Sequence, residues 1–415
     1  MNVTKNRKLI FAATIIYYAG AYIGETIRGG QLIIVFALAL MLVGMLSYTG
    51  GKLRIGTMRF NGYILVFLLF CAASRLWAVD SSLAVTKVNR LLFILVEMIL
   101  IHMCFEHTFS IEDMLKAIMY GGYIVVLYAF VRYGFRGIVQ MVANDIRLTN
   151  ELFNANSLGM CAAYSMVINI YYVFYDRIKL RDILMLPAAV LLVASQSRKA
   201  ILIIILGVIG IILLKNLKNR QFGVSVLKVV AVLGVIVLVL FGLSRLPALQ
   251  PTVKRVSDVI DAIAGRGTRA SNSAWIRFAY IELGKKLFKE NPVLGIGIGN
   301  ANIYTRMYYG NNHYLHNNYI ELLACGGLIG FIIYYSMHLH LLVGFFRLWK
   351  HRDRVYDIML VLLIIVLIVD YGMVSYYNRT NYLFLYMIWN YVTRTKKQLM
   401  NGKTEKIRTP GRIAV

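Results

Sequence analysis

Apolar segments of about twenty residues recur along this chain, and they constrain its fold more than any other feature. The segments lie near residues 9–24, 31–48, 62–79, 84–105, 115–133, 154–175, 182–196, 200–215, 225–245, 317–346, 356–373 and 380–394. A stretch of this length can cross the hydrocarbon core of a bilayer as an α-helix. The chain is 59% hydrophobic, which far exceeds what one globular core needs. The sequence therefore predicts an all-α, polytopic transmembrane helical bundle of about twelve spans.

The distribution of charge predicts the orientation of these spans. A net charge of +26 would suggest a nucleic-acid partner in a soluble protein, but roughly 24 of the 45 basic residues lie at the termini and on alternate connections. This is the positive-inside pattern, so we expect a multi-pass protein of the cytoplasmic (inner) membrane with both termini in the cytoplasm. The basic tail is then a contact with anionic lipids, and no nucleic acid is expected as a partner.

One connection, residues 246–316, is much longer than the others and falls on the outer side in this topology. Within it, "VKRVSDVIDAIAG" (253–265) and "SAWIRFAYIELGKKLFKENP" (273–292) place apolar residues at helical spacing. We predict two amphipathic helices at the outer membrane interface. The predicted organisation is spans one to nine (1–245), this extracytoplasmic loop (246–316), spans ten to twelve (317–394) and a basic cytoplasmic tail (395–415).

Basic residues also collect on the outer side, where the positive-inside rule does not predict them. They are Arg132, Arg136, Arg147, Arg198, Lys199, Arg245, Lys254, Arg255, Arg266, Arg269, Arg277 and Arg306. Arginine binds phosphate through two parallel hydrogen bonds and stays charged when partly desolvated. As a set these residues indicate an anionic ligand, although any single one could instead contact a lipid headgroup.

The stretch "HNNYIELLACGGLIG", residues 316–330, begins with a histidine at the point where a polar loop becomes an apolar run. Gly326, Gly327 and Gly330 follow along the predicted helix. Small residues at this spacing allow a second helix to approach closely. We expect these glycines to serve helix packing and to hold the start of the span rigid beneath His316.

This stretch, read as His-Asn, nine residues, Gly, two residues and Gly, resembles the signature of the O-antigen ligase and O-antigen polymerase superfamily of bacterial membrane glycosyltransferases. Further stretches resemble the same family over roughly residues 60–350, namely "SRLWAVDSSLAV", "TNELFNANSLGMCAAY", "ASQSRKAILIII" and "ENPVLGIGIGN". The resemblance implies transfer of a glycan from a polyprenyl diphosphate carrier to a sugar hydroxyl on the outer face of the membrane. It also implies an inverting displacement without a metal ion or other cofactor.

The resemblance makes His316 the expected catalytic base, since an imidazole with a pKa near ~6.5 can accept a proton at neutral pH. Asn317 could orient the ring or a sugar hydroxyl, or it could cap the following helix. His313 and Glu321 are further supporting candidates. The spacing of His313, His316 and Glu321 completes no recognised metal site, so no metal ligands are predicted.

For the diphosphate, the candidate ligands are Arg198, Arg277 and Arg147. Arg198 stands in the Ser-Arg context of the family, Arg277 in the loop helix before "NPVLG", and Arg147 upstream of "FNANS". Two or three arginines would offset the negative charge that develops on the leaving group. Arg277 could instead be a snorkelling residue of an interfacial helix. Asn154 and Asn156 could be polar contacts of the site, or the cap of their helix.

Two other classes of protein remain open. Glu97 and Asp370 fall in or near the membrane core, as in proton-coupled transporters, so a polysaccharide flippase or transporter is an alternative, weakened by the lack of repeat symmetry. A peptidoglycan glycosyltransferase of the shape and elongation type would also have many spans and a large outer loop, with Asp258 or Asp261 as base. The His-Asn pattern argues against it.

Within the resembled family, polymerases and ligases differ in the acceptor, which is another lipid-linked repeat or a lipid A core. We favour a polymerase of a capsular or O-antigen-like surface polysaccharide, because few prolines and basic loops are typical of an AT-rich genome of a Gram-positive cell without lipid A. The expected partners are the lipid-linked oligosaccharide, the glycan acceptor, membrane lipids, and a flippase and chain-length regulator.

Overall fold

A computed structural model of the protein describes residues 3–52, 58–108, 110–144, 146–148, 154–217 and 272–400. The described residues form α-helices joined by short connections, and no strand occurs among them. The helices are α1 (Val3–Ile23), α2 (Gln31–Thr49), α3 (Arg59–Ala73), α4 (Ser81–Thr108), α5 (Ile111–Tyr133), α6 (Phe135–Ala143), α7 (Ala155–Tyr175), α8 (Met185–Ser195), α9 (Arg198–Leu217), α10 (Asn272–Glu290), α11 (Ala301–Tyr309), α12 (Asn318–Leu348), α13 (Arg354–Val369) and α14 (Arg379–Met400). The all-α prediction is confirmed for this part of the chain.

Seven segments are long and apolar enough to cross a membrane. They are Gln31–Thr49, Arg59–Leu76, Ser81–Phe105, Ile111–Tyr133, Ala155–Tyr175, Arg198–Leu217 and Asn318–His351. Four more helices, α1, α8, α13 and α14, coincide with predicted spans but are shorter or less apolar. The span predicted at 225–245 and the helical pattern at 253–265 lie outside the described residues. A polytopic helical membrane protein is thus supported, and the count of about twelve spans stays a prediction.

The helices pack so that loops from distant parts of the sequence meet at one end of the bundle. Helix α7 lies among α5, α8 and α9, and α9 packs in turn against α13. Helix α10, which carries the second predicted helical pattern of the long loop, packs against α12. The starts of α9 and α12 are thereby brought to the same end as α10. We call this end the His316 end.

Helix α12 is interrupted at Gly327, whose φ of 60° and ψ of −166° are not helical. The chain segment 291–300 lies in the interruption, where the N–H of Leu328 donates to the carbonyl of Pro292 at 2.8 Å. A Cβ atom at Gly327 would lie 2.3 Å from the carbonyl oxygen of Val293. Backbone groups freed by a broken helix need partners, and this segment supplies them. Gly327 therefore accommodates a docked loop, whereas the sequence suggested a second helix.

The two neighbouring glycines face helix α3. A Cβ atom at Gly330 would lie 2.5 Å from Cε1 of Phe70, and one at Gly326 would lie 3.4 Å from the same atom. Helix α3 thus packs tightly on α12 at Gly330, where only hydrogen occupies the space beside the phenyl ring.

The docked segment is also held by the stretch that follows α3. The Asn300 amide accepts from the N–H of Asp80 at 2.7 Å and donates to the Asp80 carbonyl at 3.2 Å. The N–H of Ile298 donates to Oγ of Ser74 at 3.2 Å. The Asp80 carboxylate accepts from the Ser82 hydroxyl at 2.6 Å. Three stretches singled out in the sequence therefore form one structural unit: 74–80, 291–300 and 316–330.

Candidate functional site

His316 lies in the connection between α11 and α12 with a φ of +57°, a left-handed conformation that costs a non-glycine residue roughly 1–2 kcal/mol. Two hydrogen bonds fix this connection. The N–H of Leu315 donates to Oε2 of Glu321 at 2.8 Å, and the Asn317 side chain accepts from the N–H of Ile320 at 3.1 Å. Asn317 is therefore the N-cap of α12, one of the two roles left open by the sequence. Such over-determined backbone strain is typical of functional sites.

Aromatic side chains hold the His316 ring. Tyr280 of α10 lies parallel to it, with centroids 6.0 Å apart and an interplanar angle of 7°, and Tyr314 lies at 4.3 Å and 56°. Helix α10 can come this close because of Gly284, where a Cβ atom would lie 2.2 Å from Ile320. The imidazole is therefore positioned by α10 as well as by its own connection.

Two cations act on the imidazole, and a third acts on one of them. Arg277 precedes Tyr280 by one helical turn, so the two share a face of α10. The charges of Arg277 and of Lys199, the second residue of α9, both act on His316. Arg147 in turn interacts electrostatically with Lys199. We call Arg147, Lys199 and Arg277 the basic cluster.

Two members of the basic cluster form no ion pair with the acidic side chains that the structure describes. Among the described residues, neither Lys199 nor Arg277 has a carboxylate within ion-pair distance. Both side chains are only partly exposed, so water does not fully solvate them. Cations gathered in this way repel one another and favour a bound anion.

Arg147 is anchored to the ends of α7 and α8. Its Nη2 donates to Oδ1 of Asn156 at 2.9 Å, and its Nε donates to the Ser195 carbonyl at 3.2 Å. Asn154 accepts from the N–H groups of Asn156 and Ser157 at 3.0 and 3.3 Å. The sequence left open whether these asparagines cap the helix or contact the site. Asn154 is the N-cap of α7, whereas Asn156 is a polar contact of the basic cluster.

The electrostatics of the site change the expected basicity of His316. Burial, together with the positive charges of Arg277, Lys199 and His313, lowers its pKa to about 3. The ring is therefore neutral at pH 7, which is the form that accepts a proton, but it is a weaker base than the sequence suggested. An anion bound by Lys199 and Arg277 would offset their charge and raise this pKa. Burial also lowers the pKa of Arg277.

The structure brings together most of the residues predicted for the site. His313 is exposed, and its ring centroid lies 6.1 Å from that of His316. Glu321 is buried and serves the His316 connection through Leu315. Arg198 is the first residue of α9 and is half-buried. Among the described residues, no group of histidine, cysteine and carboxylate side chains has the arrangement of a metal site.

Sequence reasoning missed three residues of the site: Lys199, Tyr280 and Tyr314. Lys199 was visible as an outer basic residue, but it adjoins Arg198, and successive helical residues point about 100° apart. The orientation of α9 about its own axis determines that Lys199 acts on His316. Tyr280 was recognised as part of an apolar face, with no signal that it would stack on an imidazole.

The two acidic residues that suggested a transporter both have partners. Glu97 accepts from the hydroxyl of Tyr17 at 2.8 Å and lies 3.6 Å from Arg379. Asp370 accepts from Tyr335 at 3.0 Å and from Asn318 at 3.2 Å. These contacts give both carboxylates structural roles. The hydrogen bond from Asn318 to Asp370 connects the start of α12 to the turn after α13.

Part of the chain matches a known protein family. Residues 183–335 match a family model described as O-antigen ligase. The matched segment contains Lys199, Arg277, Tyr280 and His316, while Arg147 precedes it. No curated protein matches the chain. The resemblance expected over residues 60–350 is thus confirmed for 183–335.

Proposed function

Because residues 183–335 match a family model described as O-antigen ligase, we propose that this chain belongs to the O-antigen ligase and polymerase superfamily and transfers a glycan from a polyprenyl diphosphate carrier to a sugar hydroxyl. His316 accepts the proton of that hydroxyl, and the basic cluster binds the diphosphate. The observation that carries this proposal is the neutral imidazole beside Lys199 and Arg277, two cations without an ion-pair partner among the described residues.

The reaction proposed is a single displacement at the anomeric carbon of the donor sugar. The bond from this carbon to the diphosphate oxygen breaks as the bond from the acceptor oxygen forms on the opposite face, which inverts the configuration. The proton of the acceptor hydroxyl moves to His316, and the bonding electron pair leaves with the lipid diphosphate. Negative charge therefore grows on the diphosphate, where the basic cluster stabilises it in place of a metal ion.

Donor binding and proton transfer are coupled in this scheme. In the protein itself, burial and the charges of Arg277 and Lys199 keep His316 neutral. The diphosphate supplies negative charge to the same cations, so the imidazole becomes more basic when the donor is in place. The base is thus strengthened only when there is a leaving group to displace.

The proposed setting is the cytoplasmic membrane, with the His316 end on the outer side and both termini in the cytoplasm. The acceptor favoured is a second lipid-linked repeat, which makes the protein a polymerase of a capsular or O-antigen-like polysaccharide. A ligase acting on lipid A core is the second candidate, since the same site serves either acceptor. A flippase and a chain-length regulator are the proposed partners.

The test uses the purified protein in lipid nanodiscs with the carrier-linked glycan extracted from cells that lack the gene. We expect release of polyprenyl diphosphate together with a ladder of glycans that differ by one repeat. Release with a single addition to lipid A core would identify a ligase. Movement of the carrier-linked glycan across a vesicle membrane without release of diphosphate would identify a transporter and contradict the proposal.

A further inference from the structure

A cleft opens at the His316 end between the ends of α1, α7, α13 and α14. It contains about 470 Å³ of empty space, its mouth included. Hydrogen-bonding side chains from α7, from the connection between α13 and α14, and from α14 line it, namely Ser157, Asp370, Ser375, Asn378, Thr380 and Asn381. Among the residues that the structure describes, Asp370 is the one carboxylate on its wall, and no lysine or arginine lines it.

Two residues that adjoin lining residues of the cleft in the sequence connect it to the basic cluster. Ser157 on its wall follows Asn156, which binds Arg147. On the other side, the turn between Asp370 and Ser375 contains Gly372, where a Cβ atom would lie 3.3 Å from Cε of Lys199. The cleft is therefore adjacent to the basic cluster but chemically different from it.

Aromatic rings and the apolar side chains of Met160, Val366, Val369 and Met373 form the rest of the wall. Tyr22, Tyr164 and Phe384 line the cleft, and the rings of Tyr164 and Phe384 lie 4.6 Å apart at 34°. Ring faces suit the C–H surface of a sugar, while amides, hydroxyls and a carboxylate suit its hydroxyl groups, which both donate and accept. A diphosphate would meet the Asp370 carboxylate, and no lysine or arginine of the described part of the chain lines the cleft to offset its charge.

We propose that this cleft binds one sugar unit of the glycan substrate while the diphosphate lies in the basic cluster. The proposal rests on the proposed function and adds the position of the glycan to it. The sugar belongs either to the donor or to the acceptor, and both present the same hydroxyl-rich surface.

The test measures protection of an introduced thiol from a maleimide reagent. Cys71, Cys104, Cys161 and Cys325 are all buried, so a new thiol in the variant Ser157→Cys reports on the cleft. The probes are polyprenyl diphosphate without glycan, the carrier-linked glycan from cells lacking the gene, and the free glycan released from it. With a probe at about ten times its dissociation constant, the labelling rate of an occupied site falls about tenfold.

Two further variants make the result specific. His313→Cys reports on the surroundings of His316, and Ser81→Cys, an exposed position at the same end, controls for effects of the probes on labelling in general. We expect carrier-linked glycan to protect Ser157→Cys, polyprenyl diphosphate alone not to protect it, and both to protect His313→Cys. Protection by free glycan assigns the sugar to the acceptor, and protection by carrier-linked glycan alone assigns it to the donor.

Three outcomes would overturn the proposal, and they differ in what they say of the proposed function. Equal protection of Ser157→Cys by polyprenyl diphosphate would make the cleft a lipid site. No protection of Ser157→Cys, with His313→Cys protected, would remove the sugar site and leave the proposed function standing. No protection of either variant by any probe would remove both.

Discussion

The rings of His316 and Tyr280 lie parallel, with centroids 6.0 Å apart and an interplanar angle of 7°. Tyr280 belongs to a helix of the long loop, whereas His316 precedes a membrane-spanning helix. The contact therefore lets the loop set the direction of the proposed base. Since Arg277 lies one turn from Tyr280, the same helix also fixes a proposed ligand of the diphosphate relative to that base.

The first prediction concerns this stack. An aromatic pair contributes about 0.5–1.5 kcal/mol beyond its buried area, so Tyr280→Ala should lower kcat by roughly 2- to 12-fold. Tyr280→Phe keeps the ring and should retain kcat, which is measured as release of polyprenyl diphosphate in nanodiscs. An equal loss of kcat in both variants would show that the Tyr280 hydroxyl, and not the stacking of its ring on His316, supports catalysis.

The second prediction separates the backbone of His316 from its ring. Both His316→Ala and His316→Gly remove the base and should lower transfer by about 10²–10⁴-fold. Because the φ of +57° is strained for alanine but not for glycine, the glycine variant should be more stable by about 1 kcal/mol. Thermal unfolding in detergent measures the difference. An alanine variant as stable as the glycine variant would contradict the assigned strain.

The third prediction concerns the basic cluster. Removing one charge that stabilises the leaving group should lower kcat about 10²-fold in Lys199→Met. Arg277→Lys keeps the charge but loses one of two parallel hydrogen bonds, which should cost about tenfold. Lys289→Met, an exposed lysine of the same loop helix, is the matched control and should leave transfer unchanged. Normal activity of Arg277→Lys would reduce that residue to a lipid contact.

The fourth prediction is a difference between two pH profiles. The profile of kcat/KM reports the free enzyme, where the pKa of His316 is about 3. The ring is then neutral above about pH 5, and kcat/KM shows no loss from its protonation between about pH 8 and pH 5. The bound donor raises this pKa, so kcat falls at a higher pH as the solution is acidified. A shared acidic limb near ~6.5 in both profiles would contradict this coupling.

The fifth prediction concerns the interruption of α12. Gly327→Ala places a Cβ atom 2.3 Å from the Val293 carbonyl oxygen at a φ of 60°, so it should lower the free energy of unfolding by at least about 1–3 kcal/mol. Gly137→Ala in α6, where no atom lies within 4 Å of the added carbon, is the control and should not destabilise the protein. Size-exclusion chromatography and thermal unfolding compare the two variants. Equal stability would mean that the segment 291–300 can withdraw from α12 without cost.

The sequence by itself determined where helices form and which stretches carry chemistry. Apolar runs of about twenty residues specify helices because a bilayer requires backbone hydrogen bonds to be satisfied within each segment. The bounds of α2, α5 and α7 accordingly lie close to the predicted runs. The His-Asn stretch and the outer basic residues were recognisable for the same reason, since residue type and spacing are local properties.

The tertiary structure alone decided how these parts act together. The break at Gly327 exists because a segment some thirty residues upstream lies in it, and helical periodicity does not record such a contact. The packing of α9 against α7 and α13 turns Lys199 toward His316, which residue spacing could not show. The low pKa of His316 likewise sums burial and charges from several elements. The periodicity of apolar residues is a property of one helix, whereas side-chain contacts and electrostatic interactions depend on distances between helices.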